Sequence, residues 1–486
     1  MKELNRSNFD ISSYPERILQ IGEGNFLRCF IDWQIDILNE KNGLNAGIVI
    51  VRPIDTDQPP SLNTQDGLYT TLLRGYDEDN QLRNDKRIIA SVTREVSAYR
   101  EYDTFLEIAR RPQLRFVFSN TTEAGIAYSD RDGFADTPPA TFPAKLTRFL
   151  FERFEAFAGD NDKGLIMLPC ELIDYNGDKL KEIVLEYIDL WQLSVEFRNW
   201  ILEANTFCST LVDRIVTGYP KDEVEKLEQE LGYRDRFMVT GEYFHLFVIQ
   251  APKFVGEELK LADSGLNIEI VKDLKPYKER KVGILNGSHT ALVPIAYLSG
   301  IELVKDAVSE PQLANYLERL LDEEIIPSLG MPVDYLKEFT ASVIGRFKNP
   351  FINHRLLDIS LNSMTKFKTR LLPQFLNYYQ QNRAVPPLMS LSLAALICFY
   401  RGEVDGRSYP LKDDQPFLDM YAELWGQAGN GTVDEQTATE IVRRVLSLDQ
   451  HWETELLGLE GLLEQTTAYV VDITNKGMKE TLQEVL

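Results

Sequence analysis

The sequence predicts a chain of two parts, an α/β amino-terminal half built on a doubly wound parallel sheet and an all-α carboxyl-terminal half. Up to about residue 275, short apolar runs alternate with amphipathic helical patterns, as in parallel sheets covered by helices. From about residue 281 onward only helical patterns recur, and no strand pattern is present. We therefore divide the chain into residues 1–275 and residues 276–486.

The composition is that of a globular protein and narrows the range of partners. The 486 residues are 44% hydrophobic and carry a formal net charge of −23. Such an acidic chain is a poor partner for nucleic acid or an anionic membrane. No apolar run reaches the roughly 18–20 residues of a membrane-spanning helix, and the first residues lack the apolar core of a signal peptide. We expect a cytoplasmic protein, either a monomer or a small homo-oligomer.

The cysteines and histidines argue against a metal site. The four cysteines form no C-x-x-C pair, and the four histidines form no H-x-H or H-E-x-x-H pattern. Scattered cysteines of this kind are typical of reduced thiols in a cytoplasmic protein. The sequence therefore predicts neither a structural zinc nor a catalytic metal.

The first predicted strand, residues 17–21, is followed at once by a glycine turn and an apolar-rich helix. In this context a Gly-x-Gly loop lets the pyrophosphate of a dinucleotide bind backbone N–H groups at the start of a helix. The third glycine of the usual fingerprint is replaced by Leu27. The predicted cofactor-binding residues of this segment are Gln20, Ile21, Gly22, Glu23, Gly24, Asn25, Phe26, Leu27, Arg28 and Cys29.

The second predicted strand, residues 47–51, is almost entirely apolar, as buried parallel strands are. The residues after such a strand normally select the cofactor, with an acid for the ribose of NAD or an arginine for the phosphate of NADP. Here Arg52 is followed by Asp55 and Asp57. These residues leave the choice between the two cofactors open.

The following elements continue the alternation of strand and helix. A strand at residues 114–118 ends in small polar residues that include Asn120, at the edge where doubly wound sheets bind ligands. We expect Asn120 to contact the cofactor. The remaining expected elements are helices at residues 101–110, 143–157, 178–204 and 220–231, a strand at residues 164–169, and strands near residues 243–249 and 267–271 that complete a sheet.

The carboxyl-terminal half begins with the stretch on which the functional prediction depends, residues 281–289. It reads as the opening of a helix, on which Asn286 and His289 are three residues apart and share a face. Lys281 lies just before them on a long, flexible side chain. A lysine, an amide and an imidazole that converge on one point suit proton transfer to or from an alcohol. We predict that Lys281 is the acid/base, that Asn286 holds the reacting oxygen and that His289 orients a neighbouring hydroxyl.

A second cationic feature lies further along the helical half. Lys366 and Arg370 are four residues apart, a spacing at which like charges destabilise a helix by a few tenths of a kcal/mol. An anionic ligand would offset this repulsion, and a chain at −23 must supply local cations to bind one. We predict that Lys366 or Arg370, together with His354, binds the carboxylate of a sugar acid.

These motifs resemble those of the mannitol dehydrogenase family of polyol-specific long-chain dehydrogenases. The resemblance is carried by Gly-x-Gly-x-Phe-x-Arg at residues 22–28, Lys-x4-Asn-x2-His at residues 281–289 and Arg-Phe-x-Asn-Pro at residues 346–350. It implies a Rossmann-like amino-terminal domain and NAD as the cofactor. It also implies roles for Asn176, as a second amide on the reacting oxygen, and for Asp213, in cofactor binding. The chain departs from the family pattern at residues 170–172, where Cys-Glu-Leu replaces the usual Cys-Asp-Asn.

Four stretches most resemble the branch of this family that interconverts D-altronate and D-tagaturonate in hexuronate breakdown: residues 21–28, 169–177, 275–281 and 364–367. That reaction is the predicted function. Three alternatives stay open at this point. They are a sister reductase that acts on fructuronate and mannonate, a polyol dehydrogenase for mannitol or arabinitol, and a protein that binds a nucleotide or a sugar acid without turnover.

Overall fold

The computed structural model describes residues 1–56, 61–77, 80–121, 125–404, 406–429 and 431–486. These residues form two compact units. The first comprises Met1–Asp77 and Gln81–Leu274, and the second comprises Lys275–Leu486 together with Asn80. Each unit is described by itself below.

The centre of the first unit is a six-stranded sheet in which every neighbouring pair of strands is parallel. Its strands are β1 (Glu16–Ile21), β2 (Gly47–Arg52), β3 (Val92–Ser97), β4 (Phe116–Ser119), β5 (Ile166–Pro169) and β6 (Thr206–Phe207). They lie in the order β3-β2-β1-β4-β5-β6. The direction of winding reverses between β1 and β4, which is the point where such sheets bind dinucleotides. The predicted doubly wound α/β fold is confirmed.

Apolar layers cover both faces of this sheet. Because side chains alternate along a strand, Ile18 of β1 belongs to the core on one face, whereas Leu19 and Ile21 belong to the core on the other.

The α-helices of the unit are Arg6–Phe9, α1 (Asn25–Asn42), Tyr102–Ala109, Phe142–Ala156, Asn176–Leu190, Val195–Ala204, Val224–Leu231 and Lys253–Glu258. Two short 3-10 helices are Leu62–Gln65 and Asn161–Lys163. The single helical stretch expected over residues 178–204 is thus two helices, and Gln192 between them has a φ of 51°.

The remaining strands of the first unit form smaller sheets. One contains Val216–Gly218, Val239–Glu242, Tyr69–Tyr76 and Leu82–Ile89, a second contains Ser209–Asp213, Leu246–Gln250 and Ile268–Val271, and a third pairs Lys2–Glu3 with Tyr233–Arg234. The expected strands near residues 243–249 and 267–271 are present in the second of these sheets as Leu246–Gln250 and Ile268–Val271. This sheet is separate from the six-stranded one, because Leu246–Gln250 pairs antiparallel with Ser209–Asp213.

The second unit is helical, as predicted. Its α-helices are Lys275–Arg280, α2 (Gly287–Leu298), Val304–Ala307, Pro311–Arg319, Val333–Phe347, Leu356–Ile359, α3 (Ser363–Arg370), Leu372–Asn382, α4 (Pro387–Phe399), Gln415–Ala428, Glu435–Leu446, Asp449–Trp452, Leu462–Lys476 and Met478–Val485. The chain also forms π-helices at Lys281–Asn286 and Leu320–Ile325 and 3-10 helices at Ile326–Ser328 and Leu456–Gly458. The expectation of no strand is wrong in one place, because Glu403–Val404 and Arg407–Ser408 pair as a short antiparallel hairpin.

Helices α2 and α4 form the centre of this unit. From Leu388 to Phe399 every residue of α4 is buried, and α4 packs against α2. The buried carboxylate of Glu324 fixes the start of α4, because it accepts hydrogen bonds from the backbone N–H groups of Leu388 at 2.7 Å and Met389 at 2.8 Å. These bonds satisfy donors that a helix start otherwise leaves unpaired. Burial raises the pKa of Glu324 to about 7.

This raised pKa predicts a pH dependence of stability. The folded chain keeps a proton on Glu324 that the unfolded chain releases near pH 4.5, so the stabilisation is greatest below that pH and is lost as the pH rises to about 7. Glu324→Gln cannot ionise. Between pH 5 and pH 8, the variant should therefore gain about 2–3 kcal/mol of unfolding free energy relative to the unchanged protein.

Denaturant unfolding at several pH values measures this difference. The matched control is Glu323→Gln, because the neighbouring Glu323 is exposed and pairs with Arg319 at 2.8 Å. A stability difference for Glu324→Gln that does not change with pH would contradict the assignment.

Candidate active site

The loop between β1 and α1 has the geometry of a dinucleotide cradle. Gly22 has a φ of 118°, and a Cβ there would lie 2.7 Å from the carbonyl oxygen of Asn120, so only glycine fits between β1 and β4. At Gly24 a Cβ would meet no atom within 4 Å. Helix α1 begins just after Gly24 without a side-chain cap. An open helix start at the reversal point of the sheet fits the pyrophosphate of a dinucleotide.

The predicted cofactor-binding residues fall into two groups in this loop. Gly24 and Asn25 are exposed, and Glu23, Phe26 and Arg28 are half-buried. The buried members are Gln20, Ile21, Gly22, Leu27 and Cys29. The exposed and half-buried residues are therefore accessible to a cofactor, whereas the buried ones support the loop from within.

Specific contacts explain this support. The amide nitrogen of Gln20 donates to the carbonyl of Gly22 at 3.2 Å. Arg28 donates to the carbonyl of Phe237 at 2.8 Å and to the side chain of Asn25 at 2.6 Å, which ties the start of α1 to the rest of the unit. The sulfur of Cys29 packs against Gly241, where a Cβ atom would lie only 2.7 Å from it. Burial raises the pKa of this thiol to about 11.

The other predicted cofactor residues lie at two separate places. Asn120 follows β4 directly, and its backbone N–H donates to the carbonyl of Ile21 at 3.0 Å, so it borders the cradle. Asp213 is buried at the end of Ser209–Asp213, and the next residue, Arg214, donates to the carbonyl of Cys29 in α1 at 2.6 Å. After β2, Asp55 is exposed, whereas Asp57 lies outside the described residues.

In the second unit, the stretch that carries Lys281, Asn286 and His289 does not open a helix. The helical path begins at Lys275, Lys281–Asn286 forms a π-helix, and His289 lies in α2. The expected helix opening at Lys281 is therefore wrong, because the preceding six residues are already α-helical. In a π-helix the backbone hydrogen bonds join residues that are five apart. Lys281 and Asn286 have this spacing and therefore lie on one face. The α-helical spacing then continues that face to His289.

The end of helix α3 lies close to this stretch at Gly287. A Cβ at Gly287 would lie 3.3 Å from the Leu371 side chain and 3.4 Å from the carbonyl oxygen of Arg370. Helix α3 packs against both the π-helix and α2. The predicted carboxylate-binding cations of α3 are thereby brought near the predicted catalytic residues.

His289 lies in the middle of this arrangement. Its ring is buried, stacks on Phe347 at 4.1 Å between ring centroids with 17° between the planes, and meets the edge of His354 at 5.5 Å. Within the described residues, its Nε2 has no hydrogen-bond partner. Burial lowers the pKa of His289 well below its usual value, and the positive charges nearby lower it further. The imidazole is therefore neutral near pH 7 and retains a nitrogen for a ligand.

The cations that act on His289 define a cationic cluster, which consists of Arg346, Lys366 and Arg370. Burial lowers the pKa of both Lys366 and Arg370, and Arg370 lowers the pKa of Lys366 further. The Lys366 ammonium donates to the carbonyl of Ile359 at 2.7 Å. Burial also lowers the pKa of His354, which faces the same ring. The structure thus brings His289, His354, Lys366 and Arg370 together.

Sequence reasoning assigned no role to Arg346 or Phe347. Arg346 is 7% exposed, and Phe347 provides the surface on which His289 stacks. Both residues end the helix Val333–Phe347. The sequence signal that points to both is the Arg-Phe-x-Asn-Pro motif at residues 346–350.

Asn176 belongs to the first unit and is fully buried. Its amide nitrogen donates to the carbonyls of Pro169 and Glu171, each at 3.0 Å, and its oxygen accepts from the N–H of Thr210 at 2.8 Å. In this structure the amide therefore ties the end of β5 to the strand Ser209–Asp213. Its contact with the reacting oxygen stays a prediction.

Two features are absent from the part of the chain that the structure describes. The described residues contain no group of three or more His, Cys, Asp and Glu side chains placed to hold a metal ion. None of their helices combines the length and the apolar character needed to cross a bilayer. All four cysteines are buried free thiols.

Two family models match the chain and together cover most of it. The model of the mannitol dehydrogenase Rossmann domain matches residues 16–263, and that of the mannitol dehydrogenase C-terminal domain matches residues 273–474. The chain therefore belongs to the mannitol dehydrogenase family, and the predicted family is confirmed.

Individual relatives are similar over the whole chain. Altronate oxidoreductases from Yersinia enterocolitica and Escherichia coli O7:K1 are each 55% identical, with 99% of both chains covered. The altronate oxidoreductase of Enterobacter sp. strain 638 is 54% identical over the full length of both chains.

Solved structures share the fold at lower identity. A D-sorbitol dehydrogenase in substrate-free form has a TM-score of 0.79 at 20% identity and covers 99% of this chain and 100% of its own. The mannitol 2-dehydrogenase of Pseudomonas fluorescens, solved as a ternary complex with NAD and D-mannitol, has a TM-score of 0.68 at 22% identity and covers 99% of each chain.

The hydrogen bonds of Asn176 generate a prediction about stability. Asn176→Ala leaves the carbonyls of Pro169 and Glu171 and the N–H of Thr210 without their partner. Buried groups that lose a partner cost roughly 1–3 kcal/mol each when water does not replace it. We expect the unfolding free energy to fall by about 2–4 kcal/mol.

Urea unfolding checks this expectation, with Asn161→Ala as the control. Asn161 is an exposed residue of a short 3-10 helix, so its variant should stay within about 0.5 kcal/mol. Equal stabilities for the two variants would show that the amide of Asn176 is not committed to the fold.

Proposed function

We propose that this chain catalyses the NAD-linked interconversion of D-altronate and D-tagaturonate. The observation that carries the proposal is the similarity to altronate oxidoreductases over 99% of both chains at 55% identity. The cationic cluster supports the choice of a sugar acid, because one buried and two half-buried cations in a chain at −23 favour an anionic ligand. In this proposal residues 1–275 bind the dinucleotide and residues 276–486 bind the substrate.

The proposed cofactor is NAD. The residues that would hold it are the loop from Gly22 to Arg28 with the open start of α1, together with Asn120 and Asp213. When bound, NADH supplies the hydride for the reduction of the keto group. The protein's part is to bind the pyrophosphate on backbone N–H groups and to exclude water from the reacting carbon.

The proton is handled by the residues of the π-helix. Lys281 donates a proton to the oxygen of the keto group as that oxygen becomes an alkoxide, and it accepts the proton in the reverse direction. Asn286 donates a hydrogen bond to the same oxygen, whereas both amide hydrogens of Asn176 are engaged within the fold. His289 is neutral and can therefore both accept and donate a hydrogen bond, which suits the orientation of a neighbouring hydroxyl group.

The carboxylate of the substrate is assigned to Lys366 and Arg370, with His354 beside them. Both cations lie on α3 and act on His289 electrostatically. A carboxylate there would offset the mutual repulsion by which Arg370 lowers the pKa of Lys366. A charge-assisted hydrogen bond of this kind contributes about 1.5–3 kcal/mol. An uncharged polyol offers no such gain, which favours a sugar acid over mannitol or arabinitol.

A substrate panel tests the proposal against its alternatives. The oxidation of NADH is followed by its absorbance with D-tagaturonate, D-fructuronate and D-fructose. We expect the highest kcat/KM for D-tagaturonate. A higher value for D-fructuronate would favour the sister reductase, a higher value for D-fructose would favour a polyol dehydrogenase, and cofactor binding without turnover would favour a non-catalytic role.

The first prediction of this mechanism concerns Lys281. Lys281→Ala should lower turnover by roughly 10²- to 10⁴-fold, the usual loss for a general acid/base, while NADH still binds. The measurements are steady-state kinetics and a fluorescence titration with NADH. Lys275→Ala is the control, because Lys275 is exposed and pairs with Glu279 at 3.9 Å. Near-normal turnover of Lys281→Ala would remove this residue from the mechanism.

The second prediction concerns the carboxylate. Lys366→Met and Arg370→Met should each lower kcat/KM for altronate by roughly 10- to 150-fold, the loss of one charge-assisted hydrogen bond. They should change kcat/KM for an uncharged polyol of the same length much less. The comparison of both substrates separates carboxylate binding from a general structural defect.

Helix α3 provides a matched control for this experiment. Lys368→Met removes a cation of the same helix that pairs with Glu453 at 2.7 Å, and it should leave both substrates nearly unchanged. If the two cluster variants lose activity on both substrates equally, the carboxylate is bound elsewhere.

A further inference from the structure

Arg52 ends β2, at the position whose chemistry decides between the ribose of NAD and the phosphate of NADP. An arginine there would suit NADP if its guanidinium were available. In the structure the guanidinium pairs with Glu95 of β3, with 3.1 Å from Nε and 3.0 Å from a terminal nitrogen to the same carboxylate oxygen. The side chains are 7% and 2% exposed. The charge of Arg52 is therefore compensated and held within the sheet edge.

Glu95 is itself held in place from a second side. Its other carboxylate oxygen accepts hydrogen bonds from the backbone N–H groups of Ser61 at 3.1 Å and Leu62 at 2.9 Å. The backbone of Glu95 exchanges two hydrogen bonds with the side chain of Asn63, each at 2.8 Å. The carboxylate thus cannot turn away from Arg52 without breaking contacts to the segment of residues 61–63.

The cradle adds a further negative charge to this edge. Glu23, between the two glycines of the loop, is close enough for Arg52 and Glu95 to act on its carboxylate in opposite directions. Burial raises the pKa of Glu23. Arg28 also acts on this carboxylate and lowers its pKa. The carboxylates of Glu23 and Glu95 beside Arg52 disfavour a 2′-phosphate, which carries roughly −1.5 to −2 charges, whereas they do not disfavour a ribose hydroxyl.

We propose that Glu95 is a specificity-determining residue that holds Arg52 away from the cofactor and so selects the dinucleotide without a 2′-phosphate. This inference rests on the proposed use of NAD. Glu95 acts as a positioning residue, since its effect passes through Arg52. The sequence alone does not decide between NAD and NADP at Arg52. In this proposal the ion pair of Arg52 with Glu95 makes that choice.

The test measures binding rather than turnover. Dissociation constants for NADH and NADPH are determined by fluorescence titration for the unchanged protein, Glu95→Gln, Arg52→Gln and the double variant. Glu95→Gln keeps the shape of the side chain but releases Arg52. We expect its affinity for NADPH to rise by about ten-fold or more, the value of one charge-assisted hydrogen bond, while its affinity for NADH changes by less than about three-fold.

The double variant separates the role of Arg52 from that of the lost carboxylate. With Arg52 also replaced, the gain in NADPH affinity should disappear. An unchanged NADPH-to-NADH ratio in folded Glu95→Gln would overturn the proposal, and so would a gain that persists in the double variant. If circular dichroism shows that Glu95→Gln does not fold, Glu95→Asp, which lengthens the pair but keeps its charge, should shift the ratio in the same direction, and no shift would overturn the proposal.

The unchanged protein distinguishes this proposal from the proposed function. If it binds neither NADH nor NADPH, the proposed function fails. If it binds both and prefers NADPH, the proposed reaction can stand, but the role of the Arg52–Glu95 pair is refuted.

Discussion

The second unit is organised around the close approach of α3 to the stretch Lys281–Leu298. The two come close at Gly287, where a Cβ atom would lie 3.3 Å from the Leu371 side chain and 3.4 Å from the carbonyl oxygen of Arg370. This approach places Lys366 and Arg370 near a buried, neutral His289. Burial of several like charges is unfavourable unless an opposite charge compensates them. In the proposed function, the carboxylate of the substrate contributes an opposite charge at this cluster.

The first unit follows a different constraint, the contact between β1 and β4 at Gly22. No side chain fits between Gly22 and the carbonyl of Asn120. The loop before α1 therefore requires a glycine where it passes the end of β4. That geometry leaves the start of α1 open for a phosphate. At the neighbouring edge the paired charges of Arg52 and Glu95 set the local field. Cofactor binding and cofactor choice thus depend on two different features of one sheet edge.

Sequence reasoning predicted the fold class, the parallel strands and the helical half because buried parallel strands are apolar throughout and amphipathic helices are periodic. It did not find the strand Leu82–Ile89, in which five of the eight residues are exposed and four are charged. The π-helix of Lys281–Asn286 was also not predicted. A turn with one extra residue does not change the pattern of apolar residues enough to be recognised in the sequence. These features are fixed by pairing and packing rather than by local pattern.

The same distinction holds for the site. The resemblance named the family, which is confirmed, and the residues of α3 were predicted from their charge alone. The pairing of Arg52 with Glu95 could not be predicted, because the two residues are far apart in sequence and meet only through the fold. The saturation of the Asn176 amide is likewise a tertiary property. Oligomeric state and location in the cell stay predictions.

The most direct test of this account is the thermal stability of the protein in the presence of altronate and of altritol, its uncharged analogue. At roughly 100 times its dissociation constant, a ligand that binds only the folded state contributes about 2.7 kcal/mol, which corresponds to a rise of several degrees in Tm for a unit of this size. The account predicts such a rise with altronate, a smaller rise with altritol, and no rise with altronate when Lys366 and Arg370 are both replaced by Met. Equal stabilisation by the two ligands, or full stabilisation of the double variant by altronate, would contradict it.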